Sequence, residues 1–382
     1  METTHQDIIP SPLPYVMKVL DKRDEKRCQY SFEMLSKLVL MAISAKSENI
    51  LALSQWLEDN KDSLFALGFR TLKGEQRVPS QATLYRFFWA LEERIIELEH
   101  HLSRWAFSVL EQRRVSGEML CIGVDGKQVK GSKRVRQGEK ARQLLFYFVH
   151  ETSITLKQAA VEGTEAKTAQ QLLSSLDGLE TLPWLFTGDA AFAERPLVEG
   201  ILDKRGMYLF DLKDNLSDVK ANAEWAFSLP RCEQDSHFEA TEVRSGELWL
   251  REIETRPATT ELSNDFPAAT QFVRCIRTVI NKATGEIRFK EIEYGLTSAH
   301  APACTLYKWW RGHWQIENCS HNKRDTIWRE DACRTRKAAQ AFAALRNLLL
   351  SLFHLNRHQV LRHARRCNAQ PRHAFELLGL GS

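Results

Sequence analysis

The sequence predicts a mixed α/β core carrying a β-rich insertion, with an all-helical domain before it and a helical segment after it. Three observations predict this class. Apolar residues recur at helical spacing in the first third, as in Phe32, Leu35, Leu38, Val39 and Ile43. After residue 115 the period changes to strand-length apolar runs that then alternate with helical stretches. From 216 to 305 the pattern alternates like β-strands before turning helical again.

Taken in order, residues 1–20 contain Pro10, Pro12 and Pro14 without a clear period and read as an irregular arm. Residues 21–115 read as a helical domain: Phe32–Ile43, Ile50–Leu57, Ala82–Leu91 after the N-cap Ser80, and a long helix over Glu93–Arg113. The stretch Val78–Trp89 also reads as half of a helix-turn-helix, with Gln81, Thr83, Tyr85 and Arg86 near its start. Residues 116–215 form the first part of the core. Its strands are Met119–Val124, Leu144–His150, Ile154–Val161, Leu182–Thr187 and Met207–Leu212, and its helices Ala166–Leu176 and Ala193–Lys204. Residues 216–305 are the insertion, with Ala240–Glu254 and Ile287–Leu296 alternating and Lys282–Gly285 as a hairpin turn. Residues 306–382 are helical and close the core.

Composition narrows the classes. Hydrophobic residues make up 43% and charged residues 27% of the 382, as in an ordinary soluble protein. No apolar run approaches the roughly 20 residues that span a bilayer; Leu345–Leu355 is broken by Arg346, Asn347 and His354. The start, Met-Glu-Thr-Thr-His-Gln-Asp, lacks a basic region before an apolar core, so no signal peptide and no membrane partner are expected. The expected location is the cytoplasm. The eight cysteines contain no C-x-x-C pair, which speaks for reduced, mostly buried thiols rather than structural zinc. Neither a G-x-x-x-x-G-K-[ST] loop nor a G-x-S-x-G elbow occurs, which argues against nucleotide hydrolysis and serine-hydrolase chemistry.

Charge is uneven. From Arg311 to Arg372 there are 13 Lys/Arg against four acids on a chain whose total is only +4, so the remainder is acidic. A basic segment on an acidic remainder predicts a polyanion-facing surface.

Asp125, Asp189 and Glu317 carry the candidate chemistry. Asp125 ends Cys121-Ile-Gly-Val-Asp, read as a strand stopped by the following glycine. Asp189 ends Trp184-Leu-Phe-Thr-Gly-Asp, a second such run, and Glu317 lies in the helical stretch His313-Trp-Gln-Ile-Glu-Asn318. Isolated strand-end aspartates often cap turns. Setting the first and fourth strands side by side, however, gathers Asp125 and Asp189 at one sheet end, where α/β folds collect ligands. Oxygen donors suit a pair of Mg²⁺ ions, with Mn²⁺ as substitute, for phosphodiester cleavage. His313, Glu317 and His321 share a helix face and suggest zinc instead, but zinc leaves both aspartates unexplained, and no H-E-x-x-H is present. Lys127, Lys130, Lys133 and Arg134 follow Asp125 and are candidate phosphate contacts, as is Lys213 at a strand end. Arg311, Lys323, Arg324, Arg329, Arg334 and Arg336 extend that set around Glu317. Trp309, Trp310 and Trp314 read as core, with base stacking as the alternative.

These residues resemble the DDE transposases of the ISAs1 group, which includes the H-repeat-associated proteins. The resemblance runs from about residue 20 to the C-terminus. It rests on Ile122-Gly-Val-Asp-Gly-Lys127 with Ser132, Thr187-Gly-Asp-Ala190, and Tyr208-Leu-Phe-Asp-Leu-Lys213 with Asn215. Its strongest part is His313–Asn318 with His321 and Asp325, continuing through Glu330, Asp331, Cys333, Arg334 and Arg336. Val78, Thr83 and Arg86 match more weakly. The resemblance implies an RNase H-like core with Asp125, Asp189 and Glu317 as the acidic triad. It implies Mg²⁺-dependent cleavage at inverted-repeat ends of double-stranded DNA and joining of the 3′-hydroxyl to target DNA. It further suggests a homodimer or larger assembly on DNA, an accessory protein in some cases, and a nucleoid-associated location. It places Arg324, seven residues after Glu317, near a DNA-contacting basic position of related transposases.

Two departures stand out. Ser245-Gly-Glu247 replaces the group's common His-Gly-Arg, and His321-Asn-Lys-Arg-Asp325 replaces its His-Trp-x-Leu-Asp. Neither touches the triad. They leave open an RNase H-like endonuclease that cuts without integrating or a partner-dependent transposase; a non-catalytic DNA-binding protein using the helical domain and basic tail is a further reading, which the intact triad disfavours.

Overall fold

The computed structural model describes residues 9–19, 21, 23, 27–113, 118–133, 138, 140–259, 265–334 and 336–380, with only the backbone of Arg336. The helical first third comprises α1 (Leu13–Val16), α2 (Phe32–Ser44), α3 (Ile50–Asp59), α4 (Lys61–Ala66), α5 (Gln81–Glu93) and α6 (Ile95–Arg113). The strands β1 (Leu120–Val129), β2 (Arg142–Val149) and β3 (Thr155–Ala160) follow. Then come α7 (Glu165–Ser174), β4 (Trp184–Gly188), α8 (Arg195–Asp203) and β5 (Met207–Leu212). Next are α9 (Ser217–Ser228), β6 (Ser236–Arg244), β7 (Glu247–Pro257), β8 (Gln271–Asn281) and β9 (Ile287–Thr297). The chain closes with α10 (Ala303–His313), α11 (Asn322–Trp328), α12 (Ala339–Leu355), α13 (Val360–Ala369) and α14 (Pro371–Leu377). The fold is mixed α/β, with nine described strands of mixed direction.

Local chemistry sets many of these boundaries. Ser31, Asn49, Ser80 and Thr164 each accept a hydrogen bond from the backbone N–H three residues on, which starts α2, α3, α5 and α7. β4 is buried along its whole length, as a central strand covered on both faces must be.

Three expectations are corrected. β1 does not stop at the glycine after Asp125 but runs on to Val129, because Gly126–Val129 still has β2 to pair with. Ala240–Glu254 is not one alternating segment: Ser245 (φ 47°) and Gly246 (φ 82°) turn it into the hairpin β6–β7. Two successive positive φ values match the right-handed twist of the flanking strands. The start of the insertion is the helix α9, whose Val219, Ala223, Ala226 and Phe227 are buried at helical spacing.

The chain divides into two compact units, and the division falls inside β1. The first unit comprises residues 1–116, 126–161 and 316–382. Its strands run in the order β3-β2-β1, with β1 contributing Gly126–Val129. The centre of this unit is α12, buried at nearly every position. Phe342 stacks on Phe88 with centroids 4.0 Å apart, so α12 and α5 share one core. Trp328 donates its indole N–H to the Ile43 carbonyl at 2.8 Å, tying α11 to the end of α2.

The second unit comprises residues 117–125 and 162–315. Its strands run β1-β4-β5-β9-β8-β7-β6, with β1 contributing Leu120–Asp125. β1, β4 and β5 are mutually parallel, and from β5–β9 onward every pairing is antiparallel. The four strands after α9 therefore extend the parallel strands edge to edge. α10 covers them, with Leu306 and Trp310 buried against Leu209, Ile253 and Val273.

Candidate active site

In the second unit, β1 and β4 pair in parallel through Gly123 and Thr187. Asp125 and Asp189 each lie two residues beyond that last paired position, Asp125 inside β1 and Asp189 just past the end of β4. Two residues beyond a matched pair put both side chains on the same face by the period of a strand. The Asp189 carboxylate accepts from the Ala191 N–H at 2.9 Å and caps the short 3₁₀ turn Ala190–Phe192. Lys213, just past β5, lies 3.4 Å from the other oxygen. Asn215 donates to the Ala190 carbonyl at 2.8 Å and holds that turn in place.

His313 ends α10 and meets the Thr187 hydroxyl at 3.0 Å through Nδ1. Burial lowers its pKa below the usual histidine value; Asp125 and Asp189 oppose that shift, and Lys213 adds to it. A neutral imidazole beside two carboxylates adds no positive charge where a cation would sit. The sequence offers His313 as a zinc ligand with Glu317 and His321, or better as a packing or phosphate-contacting neighbour of Glu317, and does not show its contact with Thr187. Sequence reasoning missed Asp211 on β5. Burial pushes the Asp211 carboxyl up to about 7; Glu293 and Asp189 add to the rise, and Lys213 opposes it. The signal available was one acid inside the apolar run Tyr208-Leu-Phe-Asp-Leu.

Glu317 belongs to the first unit. It lies on a π-helical turn, Ile316–His321, between α10 and α11, and its side chain is exposed. Wider turns of this kind often sit at functional positions. The buried Ile316 anchors the turn among Val129, Leu144, Phe146, Phe148, Ala339 and Ala343. The π turn interrupts the regular helix expected to carry His313, Glu317 and His321, yet Glu317 and His321 keep one face, with ligand atoms within 4.8 Å of each other.

The basic residues around it divide sharply. Arg324 is fully buried, so its expected contact with DNA phosphate is corrected. Its guanidinium is 2.5 Å from Glu330, which also takes Arg346 at 2.8 Å, and all three side chains are 0% exposed. Burial drives the Glu330 carboxyl upward, but Arg324 and Arg346 outweigh it and hold the group at about 2. Lys127 is corrected for the same reason: its side chain is 10% exposed and committed to Asp325 at 2.6 Å. Lys130 is exposed and pairs with Asp331 at 2.7 Å. Lys133, Lys213, Arg329 and Arg334 are exposed, and Arg311 and Lys323 are half-buried. Arg134 and the Arg336 side chain lie outside the described residues. Among the tryptophans, Trp310 is core, while Trp314 is exposed.

The eight cysteines are free thiols, four of them buried (Cys121, Cys275, Cys333 and Cys367) and the rest half-buried or exposed. Among the described residues, no helix is long and apolar enough to cross a membrane.

Adjacent parallel strands thus bring two carboxylates, Asp125 within β1 and Asp189 just past β4, to matched positions. The transposase DDE domain family matches residues 89–353, and the DDE_Tnp_1-associated family matches residues 13–106. The chain belongs to the DDE transposase family. It is 25% identical over 243 residues to YbfL of Escherichia coli K12, covering 60% of this chain and 63% of that protein. The same figures hold for YhhI of that strain, an H repeat-associated protein named as a transposase. These matches span less than two thirds of either relative. YncI of Escherichia coli O157:H7, also named as a transposase, is 22% identical over 355 residues, covering 90% of this chain and 87% of YncI. A piggyBac transposase in a synaptic complex with hairpin DNA, solved by cryo-EM, aligns over 98% of this chain and 77% of that one. Its TM-score is 0.44 and its identity 11%, too loose a likeness to define the fold.

Proposed function

We propose that this chain is a metal-dependent DNA transposase of the ISAs1 group, with an RNase H-like core and with Asp125, Asp189 and Glu317 as its acidic triad. The observation that carries the reading is the matched position of Asp125 and Asp189 on adjacent parallel strands. The donor set fits hard divalent cations: all three groups are carboxylates, and the Asp189 carboxylate faces one backbone N–H and one lysine at 3.4 Å. A pair of Mg²⁺ or Mn²⁺ ions would supply Lewis-acid activation of the attacking oxygen and stabilisation of the leaving one.

The chain's own groups do the rest. Thr187 and Asn215 hold the strand end and the turn that present Asp189. Lys213 offsets part of the carboxylate charge. Exposed Lys130, Lys133, Arg329 and Arg334 serve as phosphate contacts that orient the duplex. The substrate is double-stranded DNA at inverted-repeat ends, and the released 3′-hydroxyl is joined to target DNA within a dimer or larger assembly.

The test is cleavage of a labelled duplex bearing the flanking inverted repeat, in Mg²⁺ and in Mn²⁺, with Glu317→Gln alongside. Nicking at the repeat end by the native chain alone is expected. Equal cutting by both would remove Glu317 from the triad, and recovery of insertions flanked by duplicated target sequence would exclude simple endonuclease action, whereas cutting with no insertions recovered would replace transposition by it.

A further inference from the structure

In the first unit, α13 and the neighbouring ends of α11 and α12 enclose an open groove of about 720 Å³. Its polar lining includes Arg362, Arg365, Arg366, Lys323, His354 and His358, and no aspartate or glutamate. The arginines follow the i, i+3, i+4 spacing of one helix face. Val360, Ala364 and Cys367 are buried on the opposite face, against the body of the unit. The three arginines are exposed and, among the described residues, make no ion pair. They contrast with Arg324 and Arg346, which are buried and both paired with Glu330 inside the core.

We propose that this groove is a second DNA-contacting surface, separate from the carboxylates, that grips the phosphate backbone of duplex DNA without reading sequence. The proposal rests on the transposase reading for its choice of partner. The chemistry is its own. Guanidinium groups present planar forks that match phosphate oxygens, and three of them on one helix face spaced about 6 Å from first to last along the axis can follow one strand. No tryptophan, tyrosine or phenylalanine lines the groove, which favours contacts to the backbone over base stacking.

His358 and His363 reinforce the point. Their rings stack at 3.7 Å. Burial lowers both pKa values, and Arg366 lowers them further; His363, which His358 also pushes down, falls to about 4.

The test is anisotropy of a labelled duplex of scrambled sequence in EDTA over a salt series. It compares the native chain, Arg362→Gln/Arg365→Gln/Arg366→Gln, and the triple lysine variant. The glutamine variant is expected to lose about 10-fold or more in affinity and to flatten the log–log salt slope by roughly 2–3. The lysine variant keeps most of both, which separates lost charge from lost fold, and the single Arg362→Gln variant flattens the slope by about one. Unchanged affinity and slope in the glutamine variant overturn the groove and leave the triad reading intact. A groove-dependent loss in a chain that never cuts DNA upholds the groove and sinks the transposase reading. Preference of the native chain for anionic lipid vesicles over duplex overturns it in favour of a membrane surface.

Discussion

Asp125 and Asp189 stand at equivalent steps of two adjacent parallel strands, each two residues past the Gly123–Thr187 pair. Removing one negative charge there should weaken cation binding more than it perturbs the fold, since neither side chain is part of the apolar core. Asp125→Asn and Asp189→Asn are each expected to lower Mn²⁺-supported strand cleavage by on the order of 10²–10³, equivalent to several kcal/mol of lost charge stabilisation. Duplex affinity in EDTA should stay at the native level. Retained cleavage in either variant would exclude that aspartate from the cation site.

Much of this architecture was legible in the sequence. Ser80 and the apolar spacing after it announced α5, and the apolar runs ending at Asp125 and Asp189 announced the strands that pair. What the sequence hid were long-range pairings. Arg324 has the composition of a surface residue, and only its meeting with Glu330 and Arg346, on separate elements, turns it inward. The π turn at Ile316–His321 has no local signature in the sequence; its Ile316 is held in a core of residues distant along the chain. α9 was hidden by its polar Ser-Asp-Val-Lys-Ala-Asn start, and the β6–β7 turn by a serine at a positive-φ position.

Among the described residues, Glu330 is the one counter-charge for two guanidinium groups that have no access to water. Breaking a buried ion network from one side leaves the other charges uncompensated, at a cost of about 3–5 kcal/mol. Glu330→Gln should therefore lower the urea midpoint strongly. The pH dependence has a definite sign. The folded group titrates at about 2 and an ordinary glutamate at 4.5, so its stabilisation is complete above 4.5 and lost as pH falls toward 2. The native chain should show that acid loss and the variant should not; a variant as stable as native at neutral pH would refute the network's role.

Gly131 sits in the 3₁₀ turn after β1, where an added Cβ would lie 1.7 Å from the Cys333 carbonyl oxygen and 2.7 Å from its carbon. Both are backbone atoms, so no side chain can swing aside. The Lys127–Asp325 and Lys130–Asp331 pairs flank the same approach and would have to part with it. Gly131→Ala is expected to cost about 1–3 kcal/mol. Thermal melting checks this, and an unshifted melt would show that the two segments separate freely.

Glu99 lies on α6 with one carboxyl oxygen buried and lacking a hydrogen-bond partner. Burial raises its pKa to about 8, against an ordinary 4.5, and the side chain of Gln158 only partly opposes the rise. The folded chain therefore keeps a proton that the unfolded chain has released between those two values. Stability must fall as pH rises through that window and level off above it, by an amount on the order of a few kcal/mol. Glu99→Gln keeps the size of the group and removes its titration. Urea unfolding of both proteins from about pH 5 to about pH 9 should give a falling curve for the native chain and a flatter one for the variant, with the variant the more stable at the alkaline end. Parallel curves would mean that Glu99 is ionised in the folded chain and finds a compensating charge there.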